Sequence, residues 1–293
     1  MEKRVQRRLV ADFYRVGVPQ GADFGELIRL VSKMPSDASR NVDSRGTPVR
    51  LHEAHHGTSH EGDLIKIRMD EVPVKASLGG LVAPFKLGSD EGVGEQTAFL
   101  FHPGVGVLVL QRNRYGVSAS ALAYYFETLT GVGPIILEPI LQLDALKRLG
   151  HMTEVRHFTV RVAGADARVL KDFGVGAREM AKLIGEFGAP NVTIDLSMGY
   201  QRGSMLVDQV KAAARRLVGL SSRDGAGAVT KIVVSGASDT ADRTVLDLLN
   251  FRMEELVDVP TATRDLRYGQ RRTALAEALG RRLTELKQLA GKD

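Results

Sequence analysis

Apolar positions along this chain recur with periods that change from one stretch to the next. In DFGELIRLVSKM, Phe24, Leu27, Ile28 and Val31 recur at helical spacing and predict a short helix after a strand over DFYRVGV. TPVRLHEAHHGTSHEGDLIKIRMDEVPV predicts a strand, a polar loop and a second strand, with Leu64, Ile65 and Ile67 in an apolar run that Pro73 ends. AFLF and VGVLVLQRN predict a hairpin around His102-Pro103-Gly104. Ser118 is placed to cap a helix over ASALAYYFETL, and TGVGP is placed to stop it. PIILEPIL follows as a buried strand.

From about residue 156 strands and helices alternate. RHFTVRVAG, NVTIDLSMG, TKIVVSGA and EELVDV read as strands. DARVLKDFGVGAREMAKLIGEF, SMLVDQVKAAARRLVGL, DRTVLDLLNF and QRRTALAEALGRRLTELKQLA read as helices. The pattern predicts an α+β fold of two mixed α/β domains, 1–155 and 156–293, with antiparallel or mixed sheets and a long C-terminal helix. No internal repeat or low-complexity segment interrupts it.

Composition narrows the class. A chain of 293 residues suits two domains, and 43% hydrophobic with 26% charged residues is the balance of a folded globular protein. The absence of cysteine excludes disulfides and thiolate chemistry. The basic start, MEKRVQRRLVADFYRV, lacks a secretory apolar core, and no apolar run reaches the length of a membrane span, so a cytoplasmic protein is expected. Forty Lys and Arg against 35 Asp and Glu leave a net charge of +5, a mild excess that permits an anionic partner.

Two patterns carry candidate chemistry. His52-Glu53-Ala54-His55-His56 satisfies H-E-x-x-H, which on a helix sets two histidines on one zinc ion with a glutamate beside its water. Pro48 and Gly57 leave little room for that helix, so a zinc-dependent hydrolase is the alternative reading and no metal or other cofactor is assigned. The second pattern is basic. Lys211, Arg215 and Arg216 lie beside the apolar stripe Leu206, Val210, Ala213 and Leu217, and Arg202 precedes them. Arg271, Arg272, Arg281 and Arg282 flank a seam of Leu275, Leu279, Leu283, Leu286 and Leu289 in the last helix. Arg112 and Arg114 leave the hairpin at the mouth of the Ser118 helix, where either a phosphate or one of Asp90, Glu91 and Glu95 suits them. Aromatics are few and Trp is absent, so phosphate contacts to a duplex are easier to build than stacking on single strands.

EGVGEQTAFLFHPGVGVLVLQRNRYGVSASALAYYF resembles the family of the phage lambda Rex exclusion protein RexA. The shared order is Asp90-Glu91-Gly92, Phe99-Leu100-Phe101, Val107 to Leu110, Arg112 to Gly116 and Ser118 onward. LEPIL…LGHMTEVRHFTVRV, NVTIDLSMG, KIVVSGASD and the terminal LKQLAGKD extend the likeness over most of 85–293. The resemblance implies a fold similar to the recombination-associated protein RdgC. It also implies a non-enzymatic homodimer that binds double-stranded DNA without sequence preference, in phage exclusion or lysogeny control. Where that family is lysine-rich this chain has GYQRGSMLVDQVKAAARRL, with only Arg202, Lys211, Arg215 and Arg216 of the required sign. A third reading is a DNA-independent sensor that acts through a membrane or phage protein partner.

Overall fold

The computed structural model describes residues 5–70, 72–163, 186, 191–220, 228–239, 241–261 and 265–291. The fold is α+β. The chain divides into two compact units, each gathered from separate stretches. Unit 1 holds Met1–Ala11, Val16–Ile136 and Glu255–Arg282; unit 2 holds Asp12–Arg15, Leu137–Glu254 and Leu283–Asp293. The sequence boundary at 155/156 falls within a strand of unit 2, Met152–Ala163.

Among the described residues the larger sheet has eight strands. They are β1 (Val5–Gly17), β2 (Val42–Asp43), β3 (Pro48–His56), β4 (His60–Arg68), β7 (Val93–His102), β8 (Val107–Gln111), β9 (Ile136–Pro139) and β14 (Glu254–Thr261). Their order is β14-β1-β8-β7-β4-β3-β2, with β9 also pairing β1. The pairs β2–β3, β3–β4, β4–β7 and β7–β8 are antiparallel. The unbroken apolar runs of β7 and β8 belong in the middle of the sheet, where both faces are covered: Ala98 to Phe101 and Val107 to Leu110 are all buried.

Two helices of unit 1 pack together, α1 (Phe24–Ser32) and α2 (Ala119–Thr130). The predicted caps are present. Ser118 Oγ accepts from Ala121 N–H, and Gly131 closes α2 with φ 68°, a left-handed value that favours glycine. Phe24 meets Phe101 and Phe126 edge to face at 5.1 and 5.4 Å between ring centres, and Phe99 meets Phe126 at 6.0 Å. The buried Tyr125 hydroxyl accepts from Leu51 N–H (2.9 Å) and donates to the Arg40 carbonyl (3.0 Å). Arg40 is itself buried and donates to the carbonyls of Leu51, Ser32 and Met34. A short hairpin, β5 (Lys75–Ala76) with β6 (Val82–Ala83), leaves its large apolar side chains exposed.

Unit 2 has an antiparallel sheet in the order β11 (Asn191–Ser197), β10 (Met152–Ala163), β12 (Ala228–Ser238), β13 (Ala241–Asp247). Its core gathers Phe158, Val160, Val162, Ile232 and Val234 from the strands with Leu149 of α3 (Leu143–Gly150) and Ala214, Leu217 and Val218 of α4 (Val207–Leu220).

Three expectations need correction. DRTVLDLLNF is strand β13 followed by a 3-10 turn, Leu248–Phe251, because its buried residues, Leu246 and Leu248, fall two apart and it pairs along β12. The polar loop before His60 is largely absent, since β3 runs on to His56 and the chain turns within three residues into β4. The final helix, α5 (Tyr268–Ala290), does not offer its leucine seam to a second chain: Leu275, Leu279, Leu286 and Leu289 are buried in the single chain and Leu283 is half-buried. The helix expected over DARVLKDFGVGAREMAKLIGEF lies outside the described residues, apart from Glu186.

Candidate nucleic-acid interface

The loop before α4 is moulded on β10. Arg156 donates to the carbonyls of Gly203 (3.1 Å), Gly199 (3.3 Å) and Gln201 (2.9 Å), and Met198 N–H returns to the Arg156 carbonyl (3.0 Å). Four bonds from one residue fix a turn that leaves Arg202 exposed. The buried stripe of α4 is Val210, Ala214, Leu217 and Val218, so the stripe read through Leu206 and Ala213 was turned slightly about the axis; Leu206 is exposed. Arg215 and Arg216 stand on the solvent side, and neither they nor Arg202 makes an ion pair among the described residues. Lys211 differs. Its ammonium donates to the Gly150 carbonyl at the end of α3 (2.7 Å), an orphan acceptor that a cation satisfies well. Arg215 also lines a groove of about 210 Å³ within unit 2, together with Arg15, Glu138, Leu146 and Leu289.

The arginines of α5 are ties. Arg271 is 2% exposed and forks both guanidinium nitrogens onto Asp63 of β4, at 2.9 and 2.8 Å. Asp63 and Glu61 are two apart on β4 and share a face, so Arg272 reaches Glu61 beside the first pair. Burial holds the Asp63 carboxyl above the usual carboxylate range, and the Arg271 charge pulls it only part of the way back. Arg281 pairs with Glu255 (3.1 Å) and Glu277 (2.5 Å), and Arg282 with Glu255 (2.8 Å). Arg271 is therefore withdrawn as a phosphate ligand, because a buried bidentate pair has no donor fork to spare. Arg272, Arg281 and Arg282 already hold carboxylates.

At the hairpin, Arg112 donates its backbone N–H to the Val10 carbonyl (2.8 Å), and the acidic segment is held by other partners. Glu95 pairs with Arg68 (3.0 Å), and Glu91 accepts from Gly88 N–H (2.8 Å). Arg114 is exposed and lies 5.8 Å from the Tyr115 ring centre, which Arg68 also approaches at 5.5 Å.

The H-E-x-x-H stretch is a strand, not a helix, and a bulge divides it. Leu51 pairs with Leu64 and Glu53 with Asp63, so His52 is the extra residue. Glu53 and His55 then share the side on which His55 stacks on Tyr268 of α5, at 5.6 Å and 13° between planes. His56 turns to the other side, towards Ser32 of α1 (2.9 Å) and His60 (3.1 Å between Nδ1 atoms). His52 and His56 do not converge as a zincin pair. Among the described residues no group of three or more His, Asp and Glu side chains is placed to hold a metal.

The model of a Family of unknown function (DUF6731) matches residues 22–280. The chain belongs to that family. No curated protein matches it. The matched span of this DUF6731 chain takes in both the α4 cluster and the arginine–carboxylate ties of α5. No helix among the described residues is long and apolar enough to cross a membrane.

Residue-level reading missed the cations that strands carry. Arg156 is one. Arg161 and Lys231 are others, opposite each other across β10 and β12 and exposed. Their signal was the alternation itself: in RHFTVRV and TKIVV the residues between Phe158, Val160, Val162, Ile232 and Val234 had to face out.

Proposed function

We propose that this protein binds double-stranded DNA without sequence preference, as a non-enzymatic homodimer of a phage-exclusion or lysogeny-control system, in the cytoplasm. The observation that carries the reading is the contrast within the basic set: Arg202, Arg215 and Arg216 are exposed on a loop and helix and make no ion pair among the described residues. The α4 helix is about 21 Å long, which spreads these charges along a length comparable to several phosphate spacings. Arg161 and Lys231 add to the same unit's charge. Few phosphates are engaged per chain, so binding is weak, salt-sensitive and indifferent to sequence. Mobility shift on two unrelated duplexes at low and moderate salt tests it. Equal retention of both that fades with salt supports the reading, and no retention at low salt ends it.

The homodimer belongs to this proposal, with its surface moved off α5. Seven large apolar side chains stand exposed between Met69 and Leu87, with Leu78 and Leu81 at the tip of the β5–β6 hairpin. Exposed apolar side chains of this kind are what a second protein surface covers. Lys75 and Lys86 are offset by Asp70 and Glu71 within the arm, with Asp90 and Glu91 following it, so the arm has no net positive charge to favour an anionic lipid surface over a second copy. Light scattering after gel filtration is expected to give a dimer mass for the native chain and a monomer for Leu78→Asp, with unchanged circular dichroism. A native monomer at micromolar concentration refutes the dimer, and a dimeric Leu78→Asp variant refutes the arm.

A further inference from the structure

The pair His56 and His60 has a hydrogen-bond chain whose proton positions can be worked out. Ser32 Oγ–H donates to the Arg29 carbonyl at 2.8 Å, closing a turn of α1. A hydroxyl has one proton, so Ser32 Oγ must accept from His56, whose Nε2 is 2.9 Å away. His56 therefore carries its proton on Nε2, and Nδ1 keeps its lone pair. That lone pair faces His60 Nδ1 at 3.1 Å, so in the metal-free pair His60 is the Nδ1–H donor. The other edge of His60 is held against the start of α1. A Cβ at Gly25 would stand 2.6 Å from His60 Nε2 and 3.0 Å from Asp23 Oδ1, so only glycine leaves room for this ring.

We propose that His56 and His60 bind a divalent transition-metal ion, of the zinc, nickel and cupric class, through their two facing Nδ1 atoms, with water in the remaining positions. Two imidazole nitrogens on one tetrahedral ion sit about 3.3 Å apart for bonds of about 2.05 Å. The pair thus opens by only about 0.2 Å to exchange a shared proton for an ion. The step balances: the Nδ1 proton of His60 moves to its own Nε2, on the side of the Asp23 carboxylate, and no net proton is released. His56 keeps its Nε2–H on Ser32. The His56 ring would then have the outer-edge hydrogen-bond support that orients metal-bound histidines. Partial desolvation of the exposed His56, burial of His60 and the Arg29 charge keep both rings neutral, which leaves their lone pairs free for an ion; Arg29 opposes a dication as well, and Asp23 and Glu26 offset its charge. The ion would staple β3 to β4 at the hairpin tip, where His56 also bonds Ser32 of α1. It would be a different site from any ion held by His52 and Glu53, which lie at and beyond the bulge.

The test is calorimetric titration of the untagged full-length chain with zinc or nickel chloride at pH 7.5, with the nitrogen hyperfine pattern of the cupric form as a second readout. The expected result is one ion per chain and two equivalent imidazole nitrogens. His56→Ala, at an exposed ring that is safe to remove, should weaken binding at least tenfold while His52→Ala and His55→Ala leave it unchanged. His60→Gln, checked for folding by circular dichroism, should match His56→Ala. No heat up to millimolar metal overturns the proposal. So does loss of binding in His52→Ala with retention in His56→Ala, which would return the site to the H-E-x-x-H motif.

Discussion

The arginines of α5 and those of α4 are alike in the sequence and opposite in their surroundings. Both sets lie beside an apolar stripe, in pairs, at helical spacing. Arg271 and Arg272 meet Asp63 and Glu61, and Arg281 and Arg282 meet Glu255, so this part of α5 is fastened to strands of its own unit. Arg215 and Arg216 meet no carboxylate among the described residues. The difference teaches that a basic face is decided by the partner element. Two acidic residues two apart on one strand make a socket for two adjacent arginines; a helix beside apolar strands leaves its arginines to solvent.

The strongest way to break that comparison is at Arg271. Arg271→Ala leaves Asp63 charged and buried without its partner, and removing one member of such a pair costs about 3–5 kcal/mol. The expected outcome is a large drop in the urea midpoint with little change in slope. The double variant Arg271→Met with Asp63→Leu removes both charges and is expected to recover most of that loss. A single variant as stable as the native chain would mean that Asp63 is neutral and Arg271 is free for another ligand.

The same test on α4 should show the opposite profile. Arg215→Ala with Arg216→Ala is expected to leave stability within about 0.5 kcal/mol, as for surface changes that remove no partner. Retention of duplex should fall at least tenfold, and the slope of log affinity against log salt should flatten by about 1.8 for two lost phosphates. Unchanged retention would remove α4 from the interface.

How much of this was legible depends on what fixes each feature. The β7–β8 hairpin, α1, α2 and their caps follow from local signals: Phe24 to Val31, Ser118 and Gly131 each act within a turn or two of the chain. The strand β13 was missed because Val245, Leu246 and Leu248 satisfy either period over so short a run, and only the pairing with β12 selects one. The role of Arg271 was not legible because Asp63 is 208 residues away in sequence. The bulge at His52 was equally hidden, since it is a register event between two strands, yet it is what separates His52 from His56. Exposure of Arg215 and Arg216 was correctly anticipated from the helix alone, because the buried stripe is a local property.

Acidification separates the two sides of β4. His56 and His60 are both held below the ordinary histidine value of 6.5, His56 by burial, His60, Arg29 and His55 against Glu26, and His60 by burial and Arg29 against Asp23 and Glu26. A lowered folded value means the unfolded chain takes up protons first as the pH drops. The stability from the neutral pair is therefore fully present above about pH 6.5, falls as the pH drops through the window down to the folded values, and levels off below them. Urea midpoints at pH 7.5 and 5.5 should differ in the native chain and differ less in His60→Leu. An equal difference in both would assign the pH dependence to other groups.

The smallest expected effect, and the sharpest control for the comparison, is at Arg272. Its guanidinium is 45% exposed while its partner Glu61 is 14% exposed, so solvent screens one side of the pair. Arg272→Ala is expected to cost about 0.2–1 kcal/mol, much less than Arg271→Ala one residue away, because Glu61 can regain water and Asp63 cannot. Raising the salt should shrink even that difference. The informative readout is duplex retention in the same variant. Unchanged retention places Arg272 with the ties of α5. A loss of retention without a loss of stability would show that this arginine exchanges Glu61 for a phosphate, and the division between the two helices would then fail at its solvent-facing edge.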